Sequence, residues 1–312
     1  MRRRSVRLRR LLALGLLAAA GLLVGAQPAQ AQAEPLRQRV NIYLIDVSEF
    51  DVGTGHFKAD FYVTFHCNRE CDPHFDFRNG AIESSQVRRD TGTEKEYRVR
   101  AELQEQRVNL RRFPFTKGTL PIVLEDDLLD EAHMVFEVEP GSALDTQVHL
   151  PGFEIDHDVK ATVRSHARPG SPTPYSSVVF EVSYRSHRIS VAIKDLLPIA
   201  LLSFAGFLSF FIDPEDTADR VLVSISALLA LAFFGSALTG KAPHTDYLTL
   251  ADAYVILSLV LLTLGLSGLI FIYDRRRGWD EVKVAKVNVR LRRAIFALWA
   301  LCQVVFIAVV AA

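Results

Sequence analysis

Val221-Leu222-Val223-Ser224-Ile225-Ser226-Ala227-Leu228-Leu229-Ala230-Leu231-Ala232-Phe233-Phe234-Gly235-Ser236-Ala237-Leu238 is a run without a single charge. Its length matches the roughly 20 apolar residues that cross a bilayer core of about 30 Å as a helix. Three further segments read the same way: 196–212 before it, then 251–273 and 294–312 after it. Backbone amides inside lipid must be satisfied within their own segment, so all four are expected as helices. Pro198 falls in the first turns of the first, where a missing amide donor does least harm. The expected membrane domain is 191–312.

Working outward, the basic residues give the orientation. Arg275, Arg276, Arg277, Lys283, Lys286, Arg290, Arg292 and Arg293 follow the third span, whereas the second and third are joined through a stretch with only Lys241. An excess of Lys and Arg marks the cytoplasmic side. The segment before the first span and the C-terminus are therefore expected on the outer side. The chain start agrees: six arginines between Arg2 and Arg10, an apolar stretch from Leu11 to Val24, then Ala26-Gln27-Pro28-Ala29-Gln30-Ala31-Gln32-Ala33. This is the pattern of a secretory signal, 1–33, cut after Ala31 or Ala33, with an uncleaved anchor as the alternative.

Residues 36–190 carry most of the charge and a different pattern. Val40–Val47, Phe57–Phe65, Tyr97–Leu103, Thr119–Leu124, Met134–Val138, Lys160–Val163 and Val178–Tyr184 are short runs rich in β-branched and aromatic residues. Gly- and Pro-containing clusters such as Glu139-Pro140-Gly141-Ser142 separate them. An all-β, immunoglobulin-like antiparallel sandwich is expected, followed by an all-α four-helix membrane domain. With 36 basic and 36 acidic residues the formal charge is zero, which gives no reason to expect a nucleic-acid partner. No nucleophile–base pairing, phosphate loop or metalloprotease motif occurs, so an enzyme, a cofactor and a metal are not expected. His66-Cys67-Asn68-Arg69-Glu70-Cys71-Asp72-Pro73-His74 fits no structural zinc spacing; a Cys67–Cys71 disulfide and plain thiols both remain open.

Several motifs together resemble the pentameric ligand-gated ion channels, the Cys-loop receptor superfamily, in its bacterial form. Leu110-Arg111-Arg112-Phe113-Pro114-Phe115 is similar to the Phe/Tyr-Pro-Phe-Asp loop that faces the membrane. Asp219 to Leu231 resembles the pore helix, with its acidic-basic-Val opening and Ile-Ser-x-Leu-Leu. Ala242-Pro243-His244-Thr245-Asp246-Tyr247-Leu248-Thr249 is similar to the Pro-x-x-x-Tyr-x-Thr linker, and Asn41–Leu44 and Arg188 fit as well. Three departures are visible: Thr116 stands where Asp is usual, both signature-loop cysteines are missing, and the stretch between Phe65 and Leu110 is short, without a Trp-x-Pro segment. A shortened extracellular domain is implied.

The resemblance implies a homopentamer in a bacterial inner membrane, conducting monovalent cations when a periplasmic small molecule or protons act. Leu222, Ser226, Leu229, Phe233 and Ser236 share an arc of roughly 80° on an ideal helix and would line the pore, with Asp219 at its cytoplasmic mouth. The opposite face is apolar too, so periodicity alone fits a lipid-buried helix equally; the resemblance selects the pore. Five Asp219 carboxylates would favour cations, and Leu229 and Phe233 would close the path by dewetting. Asp51, Phe113, Pro114, Phe115, Arg188 and Pro243 would couple the two domains, Arg188 through an acidic partner. Phe153 and Tyr175 would contribute to ligand binding. The absence of tryptophan from 36–190 disfavours a quaternary ammonium agonist. Eight of the nine histidines lie before residue 195, which makes pH a reasonable stimulus. A non-conducting membrane sensor or assembly protein on the same scaffold is the alternative.

Overall fold

A computed structural model describes residues 34–311 apart from 107, 243 and 244. The expected signal segment, 1–33, and Pro243 lie outside the described residues. Ten strands come first: β1 Leu36–Ser48, β2 His56–Cys67, β3 Phe75–Phe77, β4 Gly80–Asp90, β5 Glu94–Gln104, β6 Lys117–Asp126, β7 Met134–Val138, β8 Ala143–Leu144, β9 Phe153–His166 and β10 Tyr175–Ser186. They run in the order β3-β6-β10-β9-β8-β1-β2-β5-β4, with β7 beside β1. The result is a sandwich nearly closed into a barrel, since one β8–β9 pairing, Ala143 with Asp158, joins its two halves.

Alternation explains the core. In β2, Phe57, Ala59, Phe61, Val63 and Phe65 all point inward while the residues between them face out. They meet Leu120, Ile122 and Leu124 of β6 and Val178, Phe180 and Val182 of β10 in one buried cluster. Period-two burial of this kind sets strand register, because a one-residue slip would expose every member of the set. The sandwich is not purely antiparallel: β7 and β8 both pair with β1 in parallel.

Four helices follow, which we number α1 Arg188–Phe211, α2 Thr217–Thr239, α3 Leu250–Arg275 and α4 Glu281–Ala311. Each is long and apolar enough to cross a membrane, and the chain is a multi-pass membrane protein. Two boundaries differ from the sequence expectation. The first helix begins at Arg188 rather than 196, so Pro198 lies ten residues inside it. The turn Ala192–Leu196 just before that proline is π-helical. A wider turn removes the clash between the proline ring and the carbonyl four residues back, which lets the helix run through it. The basic stretch after the third span is not a loop. Most of its charges sit on α4, whose first turns are charged and helical, and only a short turn joins α3 to α4. Charged turns lower the local hydropathy, so a hydropathy reading starts the helix too late.

The strands and helices belong to one compact unit, Leu36–Ala312. Alternation of chain direction puts the start of α1, the end of α2, the start of α3 and the end of α4 on the side that meets the sandwich. The basic end lies on the other side.

Candidate pore helix and domain junction

Helix α2 buries one stripe and exposes the opposite one. Arg220, Ser224, Ala227, Leu231, Gly235 and Leu238 are buried against the neighbouring helices. Asp219, Leu222, Ser226, Leu229, Phe233 and Ser236 are all exposed in the single chain. At about 100° per residue the centres of the two stripes lie roughly 180° apart. Leu222 and Leu229 are each 63% exposed and Phe233 is 78% exposed, so the apolar members of this mixed face are unpartnered within one chain.

The buried stripe carries polar chemistry of its own. Arg220 is 2% exposed. Its Nε donates to the Ser209 carbonyl at 3.1 Å, a terminal nitrogen donates to Asn288 Oδ1, and the guanidinium lies 5.7 Å from the centre of the Phe210 ring. The Asn288 amide donates in turn to the Phe210 carbonyl at 3.2 Å. Ser224 Oγ donates to Ser209 Oγ at 2.9 Å, which accounts for the one serine of α2 that is not on the exposed face. Arg220 and Ser224 therefore fasten the start of α2 to the end of α1 and, through Asn288, to α4. Reading the sequence missed this network; its signal was a polar Asn288 falling on the same helical stripe as Leu291 and Ile295. Small residues permit the close packing above it. A side chain on Gly235 would lie 2.5 Å from Val255 of α3, and one on Gly206 would lie 2.4 Å from Leu262.

At the junction, the loop between β5 and β6 caps a helix. The first amides of α3 have no partner within their own helix. Leu250 N donates to the Arg111 carbonyl at 3.0 Å and Ala251 N to the Phe113 carbonyl at 2.9 Å. Thr249 and Asp252 complete a reciprocal capping box. Leu110 and Phe113 are buried in the helical core, and Leu110 N donates to Tyr247 Oη at 3.1 Å. The Tyr and Thr of the α2–α3 linker thus hold this loop and cap α3. On the strand side, Ser186 N donates to the Thr116 carbonyl at 2.9 Å, and Ser186 Oγ reaches the carbonyls of Pro114 and Thr116. One loop therefore ties β10, where α1 begins, to the start of α3.

Of the residues expected to couple the domains, Phe113, Pro114 and Phe115 are brought into this junction, and Val52 from the β1–β2 turn packs beside them. An Arg188 ion pair is not formed: among the described residues no carboxylate lies within 4.0 Å of it. The Asp51 carboxylate instead accepts from Gly53 N at 2.7 Å, holding its own turn.

The two candidate ligand residues are not brought together. Phe153 pairs with Ser186 at the membrane end of the β9–β10 ladder, and Tyr175 pairs with His166 at the far end. Eleven steps along a strand separate them by about 35 Å, so one small molecule cannot touch both within a chain. Phe153 packs edge-on against Phe50 and Tyr184, with centroids 5.4 and 5.5 Å away. Tyr184 Oη donates to Glu105 Oε2 at 3.0 Å. Burial pushes the Glu105 carboxyl above its ordinary range, against the lowering effect of that hydrogen bond and one from the Thr119 backbone. Tyr175 stacks under Arg168 at 4.1 Å, beside a small cleft lined by Arg78, Glu125 and His166. Glu125 is buried; one of its oxygens pairs with Arg168, and the other lies 3.1 Å from His166 Nδ1 without a hydrogen bond between them.

Cys67 and Cys71 form a disulfide, which closes one of the alternatives left open by the sequence. Among the described residues no group of three or more His, Cys, Asp or Glu side chains is placed to hold a metal ion.

Comparison with known proteins bears on the membrane region first. Residues 196–288 match the family described as the neurotransmitter-gated ion-channel transmembrane region. The chain is 25% identical over 178 residues to Ligand-gated ion channel 50 of Caenorhabditis elegans, covering 56% of this chain and 35% of that protein. It is 31% identical over 87 residues to a Gamma-aminobutyric acid receptor alpha-like protein of Drosophila melanogaster, covering 28% of this chain and 13% of that one. Neuronal acetylcholine receptor subunit alpha-3 of Homo sapiens is 25% identical over 128 residues, 41% of this chain and 23% of that one. The chain thus spans about a third or less of the length of these curated relatives. Residues 196–288, which hold most of α1, all of α2 and α3 and the start of α4, are similar to the transmembrane region of neurotransmitter-gated ion channels, and the chain is homologous to ligand-gated ion channels.

Proposed function

We infer that five copies of this chain assemble around an axis lined by α2 and conduct monovalent cations across a bacterial inner membrane. The observation that carries this reading is the exposed stripe Asp219-Leu222-Ser226-Leu229-Phe233-Ser236, opposite a stripe already buried by the other helices. A helix with one face packed and the other turned to a shared axis serves a pore. Asp219, exposed in the first turn of α2, supplies one carboxylate per subunit at one mouth, and a ring of five concentrates cations. Leu229 and Phe233 supply apolar rings that close the path by excluding water. The basic end opposite the sandwich supports a cytoplasmic placement of that end and a periplasmic sandwich.

Opening is a movement of the sandwich passed through the β5–β6 loop to α3 and α1. Phe113, Pro114 and Phe115 act there with Pro243, Asp51 and Arg188. The carbonyls of Arg111 and Phe113 on the first turn of α3 support this route. The stimulus is protons or a small molecule. Glu105 stands at the root of the loop with a carboxyl raised by burial, a suitable place for a proton to act. Tyr175, with Arg168, is the better placed of the two ligand candidates because its ring face is already used by a cation. Phe153 belongs to an aromatic cluster that holds the membrane end of the sandwich.

The test is reconstitution of the full chain in planar bilayers, with recording across pH steps and ion gradients. Discrete currents whose reversal potential follows the sodium or potassium gradient are expected. Reversal at the chloride equilibrium potential contradicts the selectivity, and silence under every condition favours a non-conducting sensor or assembly protein.

A further inference from the structure

The turn that joins β9 to β10, residues 167–174, has little freedom. It holds Pro169, Pro172 and Pro174, and Gly170 at a φ of +89°. Ser171 N closes it on the Arg168 carbonyl at 3.2 Å. Two bonds fasten it to the segment between β6 and β7: Thr173 Oγ1 donates to the Asp130 carboxylate, and Glu131 N donates to the Pro174 carbonyl at 2.9 Å. Arg168 therefore projects from a fixed root.

Its side chain lines a cleft of about 270 Å³ together with Asp76, Arg78, Glu125 and His166. One terminal nitrogen pairs with Glu125 Oε1, the other donates to the Asp127 carbonyl at 3.3 Å, and the guanidinium lies 4.1 Å from the centre of the Tyr175 ring. Glu125 is 3% exposed, so Arg168 rather than water balances its charge. The second carboxylate oxygen, Oε2, is buried without a hydrogen-bond partner among the described residues. Asp76 and Arg78 are exposed and of opposite sign, which leaves Glu125 as the charge that selects what the cleft takes. A buried carboxylate beside an aromatic face holds a planar cation by its edge and its plane at once. Arg168 supplies that cation from the chain itself.

We propose that Arg168 is a tethered occupant of a cation site formed by Glu125 and Tyr175, and that this site takes guanidinium compounds from solution only when the Arg168 side chain is displaced. Removing the guanidinium leaves a buried carboxylate uncompensated, a vacancy that a free guanidinium fills by charge, plane and size. The contact is autoinhibitory: the chain blocks its own site, and a ligand acts there by competing with Arg168. This inference rests on the reading of Tyr175 as a ligand residue and adds how that site is controlled.

The experiment is ligand-observed NMR of the full chain in detergent, titrated with ethylguanidinium and with ethylurea as its neutral isostere. Arg168→Ala should bind ethylguanidinium about tenfold or more tightly than the unaltered chain does, and should ignore ethylurea. A hydrogen bond to a charged group is worth about tenfold to a hundredfold in affinity, so adding Glu125→Gln to Arg168→Ala should weaken binding by that factor. Arg168→Lys keeps a tethered cation and should bind as weakly as the unaltered chain. Because Arg168→Ala uncovers a buried charge, its thermal melt is followed alongside: ethylguanidinium should raise the melting temperature of this variant and leave that of the unaltered chain in place. None of these readouts needs current, so a silent pore would count against the channel reading alone. Equal binding by the unaltered chain and Arg168→Ala, binding untouched by Glu125→Gln, equal binding of ethylurea, or an Arg168→Ala chain that stays unfolded with the compound present would overturn the proposal.

Discussion

Asn288→Ala isolates the network that fastens the pore helix. The variant leaves a buried guanidinium nitrogen without its acceptor and deletes the bond from Asn288 to the Phe210 carbonyl. In soluble proteins a hydrogen bond to a charged group contributes about 1.5–3 kcal/mol. Measured pairs inside membranes average only about 0.6 kcal/mol, because the unfolded helices also find partners. Arg220 is almost wholly buried and has no carboxylate within 4.0 Å among the described residues, so its coupling to Asn288 should lie between these values, at about 1.5 kcal/mol. A double-mutant cycle with Arg220→Met reads that term directly. The assay is unfolding of the purified chain by SDS titration, followed by tryptophan emission. Both tryptophans, Trp279 and Trp299, lie in the helical half, so the signal reports that half alone. The double variant should be destabilised by about 1.5 kcal/mol less than the sum of the singles. Additivity to within about 0.5 kcal/mol would refute the claim that Asn288 holds α2 through Arg220.

Glu105 and Gly235 give two more measurable outcomes. A carboxyl with a raised folded-state pKa costs stability where it is ionised, and that cost fades as the pH falls through the raised value towards the ordinary 4.5. Glu105→Gln should therefore stabilise the protein most near neutrality, with the gain shrinking on acidification; pH-resolved thermal melts giving a constant difference would exclude Glu105 as the titrating group. Gly235→Ala places a methyl 2.5 Å from Val255, which should cost about 1–3 kcal/mol in the same SDS titration and be largely restored by Val255→Ala.

How much of this was legible in the sequence follows from how each residue is buried. The strands of the core were readable because Val40, Ile42 and Leu44, or Phe57, Phe61 and Phe65, alternate with outward residues. Strand β4, Gly80–Asp90, was not, because it is an edge strand exposed on nearly its whole length and carries no period-two apolar signal. The membrane spans were plain from hydropathy, but their ends were not, since Arg188–Asp195 and Glu281–Arg293 are charged and still helical. On α2 the exposed stripe was foreseen from periodicity and resemblance together. Its buried partner stripe needed the packing of Ser209 and Asn288, which lie 15 and 64 residues away from Ser224 in the chain. That Phe153 and Tyr175 sit at opposite ends of one ladder is not legible in the sequence, because only strand register reveals it.

The central claim is that one face of α2 meets water and ions while the other meets protein. Single cysteines placed along α2 on a Cys302→Ala background, probed with a charged thiol reagent during bilayer recording, test it most directly. Replacement of Ser226, Leu229 or Ser236 should give currents that the reagent blocks, whereas replacement of Ser224, Ala227 or Leu231 should give currents it leaves unchanged. Block at the second set, or the same response at both, would contradict the account.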